Sequence, residues 1–125
     1  LVVCGTHNQQ NAEEIIEEIR TARKNKIPAL LICGGHQLGA IQWARDNGIP
    51  DATSEEFGQG TFVVKERPEP KIGFIDGESW WSYYDVEIDW EIPEHFISVP
   101  FHPEYGSCKD NPHPLLVKFI ELCKK

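Results

Sequence analysis

Two uninterrupted apolar runs near the beginning of the chain predict buried β-strands. Residues 1–4 form the first run, which is closed by Gly5, and residues 29–33 form the second, which is closed by Gly34. Runs of this length without alternating polar residues are typical of strands that are covered on both faces. The pattern therefore predicts two strands inside a layered fold rather than on its surface.

An amphipathic segment between these runs predicts a helix. Asn11 is a candidate N-cap, and Pro28 ends the segment because proline cannot continue a helix. Acidic residues come first and basic residues last, which complements the helix dipole. The apolar stripe on one face consists of Ile15, Ile16, Ile19 and Ala22.

A second helix is predicted over residues 37–46, because Leu38, Ile41 and Trp43 offer apolar surface and Asn47-Gly48 is a stop signal. Gly34 and Gly35 are expected to turn the chain sharply before it. The order strand, helix, strand, helix predicts a parallel sheet with right-handed crossovers.

The middle of the chain predicts short strands of a different kind, over residues 61–64, 71–75 and 83–88. The prolines at positions 68 and 70 and the Asp-Gly pair at 76–77 are expected to separate them. These strands predict a short antiparallel insertion into the domain.

The end of the chain returns to the earlier pattern. Residues 96–101 form another apolar strand, which Pro103 terminates, and residues 115–122 repeat the amphipathic helix pattern. We therefore expect residues 1–125 to form a single α/β domain with a mostly parallel central sheet and flanking helices.

Composition and charge exclude several classes of function. The 125 residues include 12 basic and 20 acidic side chains, giving a net charge of −8, which disfavours binding to nucleic acid. No apolar run is long enough to predict a membrane span. The four cysteines form no C-x-x-C pair, which favours reduced thiols in the cytoplasm, and Cys108, His113 and His102 match no common zinc pattern, so we expect no metal site.

Three residues offer the chemistry of nucleophilic catalysis. Cys33 ends a predicted strand just before a predicted helix, where a tight turn and the helix dipole lower the pKa of a thiol. His102 and Glu104 are two positions apart, so in an extended segment the carboxylate can orient the imidazole. Cys33, His102 and Glu104 are therefore candidates for nucleophile, base and base-orienting acid.

Each residue also has an ordinary structural interpretation. Cys33 is explained equally well as a small buried apolar residue, and His102 as a surface histidine. His36 is a second candidate base. The combination of residues, and not any one of them, favours catalysis.

Two segments carry a resemblance to a known family. Residues 32–38 (ICGGHQL) resemble the nucleophile motif of class I, or triad-type, glutamine amidotransferases, and residues 99–104 (VPFHPE) resemble their histidine-glutamate motif. Four further segments are similar to the amidotransferase domain of CTP synthase: ARKNKIP at 22–28, WAR at 43–45, DATSEEF at 51–57 and PHPL at 112–115. The resemblance covers roughly residues 1–57 and 94–125.

The resemblance implies a role for each catalytic candidate. Cys33 would attack the side-chain amide of glutamine, His102 would pass the proton to the departing ammonia, and Glu104 would orient His102. Gly34 would donate its backbone N–H to the oxyanion.

It also implies the substrate contacts. Gly5 and Thr6 would line the other side of the oxyanion site, while Gln37 and Glu56 would recognise the substrate glutamine. Glu56 is the candidate partner of the substrate's ammonium group.

The resemblance further implies a flavodoxin-like fold and a synthase domain or subunit that receives the ammonia. ATP and Mg²⁺ are expected only on that synthase module, with no cofactor in this domain, and a nucleotide such as UTP is the implied acceptor. The family's opening strand-helix-strand unit has no counterpart before Leu1. A homo-oligomer remains open.

Three positions depart from the family pattern. Leu31 stands where the family has a small residue, Thr6 where it has a glycine, and Tyr83 where an arginine would hold the substrate carboxylate. Two alternative functions therefore stay open: a stand-alone γ-glutamyl amide hydrolase, and a catalytically degenerate regulatory binding module.

Overall fold

The computed structural model describes residues 1–3, 11–55, 60–75, 78–99 and 113–124, with the backbone alone at 67, 70–75 and 78–85. The elements follow one another in the order β1 (Val2–Val3), α1 (Ala12–Lys24), β2 (Ala29–Ile32), α2 (Gly34–Asp46), β3 (Ala52–Ser54), β4 (Thr61–Ile75), β5 (Glu78–Val86), β6 (Phe96–Val99) and α3 (Pro114–Cys123).

A parallel sheet with the strand order β1-β2-β6 lies at the centre of the described fold. Val3 pairs with Leu31, and Ile32 pairs with Val99, so the carboxyl ends of all three strands lie at one edge. The predicted parallel sheet with flanking helices is confirmed, and β2 is its middle strand.

The two faces of this sheet carry separate cores, because successive side chains of a strand point to opposite sides. Leu31 and Phe96 belong to the core that includes α1 and α2. Ile32 and Val99 belong to the core under α3, with Phe119. Strand β2 is thus covered on both sides, as its continuous apolar run predicts. The same prediction is wrong for β1, where Val3 is buried but Val2, on the opposite face, is exposed.

Helix α1 follows the expected amphipathic pattern. Ile16, Ile19 and Ala22 are buried, and acidic residues occupy its first turn while basic residues occupy its last. Asn11 stands at the N-cap position, but its side chain makes no capping hydrogen bond. Burial of the stripe, and not the cap, therefore accounts for this helix.

Helix α2 begins at Gly34, one turn earlier than the predicted start at residue 37. Gly34 and Gly35 are therefore helical, and the sharp turn falls on Cys33 instead. The helix extends further because a buried first turn gains more from packing than the two glycines lose in propensity.

A second sheet with the strand order β3-β4-β5 contains the antiparallel insertion. The prediction of two strands at 61–64 and 71–75 is wrong, since β4 is one strand from Thr61 to Ile75. Its register with β5 is irregular between Glu66 and Lys71. Prolines are tolerated at such irregularities because the missing N–H breaks no regular ladder bond there.

Three boundaries complete the comparison with the predicted elements. Strand β5 runs over Glu78–Val86 and not over 83–88, and β3 was not predicted because three residues are too few for a periodic signal. Helix α3 covers the predicted segment, and the side chain of His113 accepts a hydrogen bond from the backbone N–H of Leu115 at its start. No helix in the described part of the chain is long and apolar enough to cross a bilayer.

Candidate active site at the carboxyl edge of the central sheet

Cys33 occupies the junction between β2 and α2 in a strained backbone conformation. Its φ of 51° and ψ of −102° lie outside the regions that L-amino acids favour. Its backbone N–H donates to the carbonyl oxygen of Val99 at 2.9 Å. The side chain is half-buried. A nucleophile on a sharp strand-to-helix turn has this geometry, which projects the reactive atom out of the sheet edge.

The start of α2 provides the electrostatics expected for a nucleophilic thiol. Gly34 is the first residue of the helix, directly after Cys33, and the N–H of Gln37 donates to the carbonyl oxygen of Cys33 at 3.2 Å. The first N–H groups of a helix have no intrahelical acceptor, and the helix dipole favours negative charge beside them. The role of Gly34, the first residue of this helix, as an oxyanion donor stays a prediction.

The end of β1 lies directly beside this turn. A Cβ atom on Gly35 would come within 2.6 Å of the carbonyl oxygen of Val3, so only glycine allows this approach. The chain continues from Val3 toward Gly5 and Thr6, which lie outside the described residues. The predicted roles of these two residues stay predictions.

The end of β6 lies on the other side of Cys33, as the bond to Val99 shows. The chain continues from there toward His102 and Glu104, which also lie outside the described residues. Three adjacent parallel strands therefore end at one edge, and each is followed by a segment that the sequence singled out. The contact between Cys33 and His102 stays a prediction.

Gln37 lies in the first turn of α2 and is almost fully buried. The hydroxyl of Ser54, at the end of β3, donates to Oε1 of Gln37 at 3.3 Å. Because this bond engages the amide oxygen, the amide NH₂ remains the donor that can face a substrate. Glu56 follows β3 two residues later and lies outside the described residues.

His36 makes two contacts that the sequence did not predict. Its Nδ1 lies 2.6 Å from Oγ of Ser98 in β6, a short hydrogen bond. Its ring also meets the ring of Trp90 edge-on, with centroids 5.5 Å apart. Sequence spacing gives no signal for either contact, whereas Ser54 lies within the family-like segment 51–57 and could have been found there.

A half-buried cation, Arg23, packs on Trp90 and on Phe96 at the start of β6. Arg23 on α1 lies 5.8 Å from the ring centroid of Trp90 and 5.3 Å from that of Phe96. Its Nε donates to Oε1 of Gln42 at 2.8 Å, and its Nη1 donates to the carbonyl oxygen of Glu91 at 2.8 Å. Burial lowers the pKa of Arg23 from its usual value. This cluster joins α1 to the segment before β6.

No group of three or more His, Cys, Asp or Glu residues among those described is arranged to hold a metal ion. The groups that the described part of the site offers are a thiol, a helix N-terminus and a side-chain amide. The role of Cys33 as nucleophile stays a prediction.

Comparison with solved structures identifies the fold. The glutaminase domain of Trypanosoma brucei CTPS, solved with bound acivicin, matches 98% of this chain and 70% of its own chain, with a TM-score of 0.79 and 20% sequence identity. The chain has the α/β, flavodoxin-like fold of that glutaminase domain. No protein-family model matches the chain.

Curated relatives narrow the resemblance to CTP synthases. The CTP synthase of Methanoregula boonei is 46% identical over 70 residues, which are 55% of this chain and 13% of the relative. Those of Sinorhizobium medicae and Bdellovibrio bacteriovorus are each 27% identical, over 97% and 100% of this chain and 34% and 35% of the relative. This chain resembles the amidotransferase domain of CTP synthases.

The alignments also show how the chain differs from these relatives. It spans about a third or less of their length. The alignment with the Sinorhizobium medicae protein extends over 186 positions, which exceeds the 125 residues of this chain. The relative therefore carries segments that have no counterpart here.

Proposed function

We propose that this chain is a glutaminase domain that hydrolyses L-glutamine and supplies ammonia to a synthase. The position of Cys33 carries this proposal: a half-buried thiol at φ 51°, at the start of α2 and between the ends of β1 and β6. The likeness to CTP synthases over nearly the whole chain supports it.

The reaction begins with formation of the thiolate. The N-terminus of α2 stabilises negative charge on Cys33, and His102, oriented by Glu104, accepts the thiol proton. The thiolate sulfur then attacks the side-chain amide carbon of glutamine, and the carbonyl oxygen becomes an oxyanion. The N–H of Gly34 donates to that oxyanion from one side, and the segment with Gly5 and Thr6 lines the other.

Collapse of this intermediate breaks the carbon–nitrogen bond. His102 returns the proton to the nitrogen, which leaves as ammonia, and Cys33 remains as a γ-glutamyl thioester. Water, activated by the same imidazole, attacks the thioester to give glutamate and restore the thiol. His102 thus accepts and returns a proton in each of the two half-reactions.

Recognition of the substrate depends on groups beside the nucleophile. The Gln37 amide, held through its oxygen by Ser54, presents its NH₂ as a donor. Glu56 would pair with the ammonium group of glutamine, because a carboxylate removed from water binds a cation strongly. These two contacts would distinguish a free amino acid from a peptide amide.

The ammonia acceptor lies on another module. By the likeness to CTP synthases, that module would bind ATP and Mg²⁺ and aminate a nucleotide such as UTP in the cytoplasm. Ammonia that reaches bulk water is protonated and lost as a nucleophile, so a synthase domain or subunit is expected to cover the mouth of the Cys33 site.

Release of glutamate from L-glutamine tests the proposal directly. We expect turnover by the wild-type chain and its loss in Cys33→Ala. Cys123→Ala is the matched control, since Cys123 is an exposed cysteine at the end of α3 and should leave turnover unchanged. Glutamate release that persists in Cys33→Ala would contradict the proposed nucleophile.

The same assay separates the two alternative functions. Release of glutamate from γ-glutamyl peptides but not from glutamine would indicate a stand-alone hydrolase. Covalent labelling of Cys33 by a chloromethyl ketone analogue of glutamine, without turnover even when a CTP synthase-type synthase module is added, would indicate a degenerate binding module.

A further inference from the structure

His36 joins the helix that follows the nucleophile to the strand that precedes the predicted base. It lies in the first turn of α2, three residues after Cys33, and its Nδ1 is 2.6 Å from Oγ of Ser98. Ser98 lies in β6 and pairs in register with Leu31 of β2. The two partners are 62 residues apart in sequence, so this bond links distant segments directly at the site.

Trp90 holds the His36 ring from a second direction. The two rings meet edge-on at an angle of 60°, and a Cβ atom on Gly39 would lie 3.0 Å from Cη2 of Trp90. The Trp90 ring is thus packed closely on α2 and is itself approached by the Arg23 guanidinium. With Ser98 on one side and Trp90 on another, the imidazole has a defined orientation.

We propose that His36 is a positioning residue that sets the placement of the Cys33 turn and the start of α2 against the end of β6. The main-chain bond from Cys33 to Val99 holds the turn to the end of β6. The bond between His36 and Ser98 adds a side-chain contact between the first turn of α2 and the same strand. This inference rests on the proposed glutaminase function and assigns the pair a part in it.

Ser98 engages Nδ1 of His36, and the Trp90 ring meets the imidazole edge-on. A ring held from two directions in this way suits a positioning role. Because catalysis depends steeply on the placement of reacting groups, a small rotation of α2 should lower turnover without weakening substrate binding.

Matched substitutions test the proposal. His36→Leu and Ser98→Ala each remove the bond, and His36→Asn keeps a polar atom near the position of Nδ1. His36→Gln is the control, because its amide reaches the position of Nε2 instead. The measurements are kcat and KM for glutamine and the rate of Cys33 alkylation by iodoacetamide, followed by mass spectrometry of the Cys33 peptide.

We expect His36→Leu and Ser98→Ala each to lower kcat about tenfold with little change in KM. The double variant should be no worse than either single variant, because the two substitutions remove one interaction. His36→Asn should recover most of the activity, and His36→Gln should not. Additive losses, a change confined to KM, or equal activity of the Asn, Gln and Leu variants would overturn the proposal.

The alkylation rate separates this inference from the proposed function. If the wild-type chain hydrolyses no glutamine, the glutaminase proposal fails, and the pair is then judged by alkylation alone. Slower alkylation of Cys33 in both single variants, without further loss in the double variant, would support the pair. Alkylation at the wild-type rate in all variants would refute it.

Discussion

The side chain of Leu31 fills the space that a side chain at Gly39 would occupy. A Cβ atom on Gly39 would lie 2.7 Å from Cδ1 of Leu31, and Leu31 is fully buried. Leu31 is also the residue that stands where the resembled family has a small one. The glycine on α2 therefore leaves room for the larger side chain two residues before Cys33.

Substitution of Gly39 by alanine should therefore destabilise the domain. Alanine in the middle of an ordinary helix is about 1 kcal/mol more favourable than glycine. Here the added methyl group overpacks the core against Leu31 and Trp90, so we expect a loss of about 1–3 kcal/mol in the free energy of unfolding. Urea denaturation of Gly39→Ala against the wild type measures it.

A double-mutant cycle provides the control for this prediction. Leu31→Ala alone should lower the free energy of unfolding by about 2–5 kcal/mol because it leaves a cavity. In the double variant the Gly39→Ala methyl group enters that cavity. The loss in the free energy of unfolding of the double variant should therefore be smaller than the sum of the losses of the two single variants. Strict additivity would show that the two side chains do not compete for the same space.

The positive φ at Cys33 predicts that glycine is more stabilising than alanine at this position, the reverse of their order within a helix. Glycine adopts positive φ without a steric penalty, whereas alanine at this position keeps the strain. We expect Cys33→Gly to be more stable than Cys33→Ala by about 1 kcal/mol in urea denaturation. Thr21 is an exposed position within α1 and serves as the control. There we expect Thr21→Ala to be more stable than Thr21→Gly. Alanine more stable at both positions would mean that Cys33 is not strained.

The bond from Ser54 to Gln37 predicts a change in substrate affinity. Ser54→Ala frees the amide oxygen of Gln37, so the amide can rotate away from the substrate. We expect KM for glutamine to rise roughly fivefold, which corresponds to about 1 kcal/mol, with kcat nearly unchanged. Thr53→Ser is the neighbouring buried control and should leave KM as it is. If KM rose equally in Ser54→Ala and Thr53→Ser, the effect would be due to altered packing and not to the bond from Ser54 to Gln37.

The ion pair between Arg20 and Asp46 should make a pH-dependent contribution to the free energy of unfolding. Arg20 Nε donates to both carboxylate oxygens of Asp46, at 3.1 and 2.9 Å, and this bond lowers the pKa of Asp46 in the folded state. A lowered folded-state pKa means that the stabilisation is present at neutral pH and is lost as the pH falls through that pKa. The carboxylate is partly exposed, so we expect Asp46→Asn to lose less than about 1 kcal/mol at pH 7.

Urea denaturation at pH 7, 5 and 3 checks this prediction. The difference between Asp46→Asn and the wild type should shrink as the pH falls, since protonated Asp46 no longer attracts Arg20. A difference that stays constant from pH 7 to 3 would assign the effect of Asp46 to its uncharged hydrogen bonds, including the one from Gln42.

Local patterns were sufficient for much of the fold. The apolar run at 29–33 predicts β2 because a strand covered on both faces has no polar positions to alternate. The stripe of α1 predicts its buried face, since helical periodicity and burial come from the same geometry. The place of Cys33 at a strand-to-helix turn follows from the run at 29–33 and the helical pattern predicted after it at 37–46.

The insertion shows where local patterns fail. Pro68 and Pro70 are ordinary signals for an interruption, yet β4 passes through them because β5 pairs with it on both sides of the irregular register. Ala52–Ser54 forms β3 only because β4 lies beside it. Strand pairing supplies partners that no single segment can specify, so these elements were predicted wrongly or not at all.

The amino-acid sequence by itself determined the buried strand β2, the amphipathic helices and the position of the Cys33 thiol at the end of a strand. Each of these depends on residues that are close together along the chain. The tertiary structure decided that His36 meets Ser98 and that Gly39 makes room for Leu31. Those contacts join positions on different elements, and their distances are set by how helix α2 packs on the sheet. Packing of whole elements depends on many side chains at once, which is why residue spacing along the chain carries no signal for it.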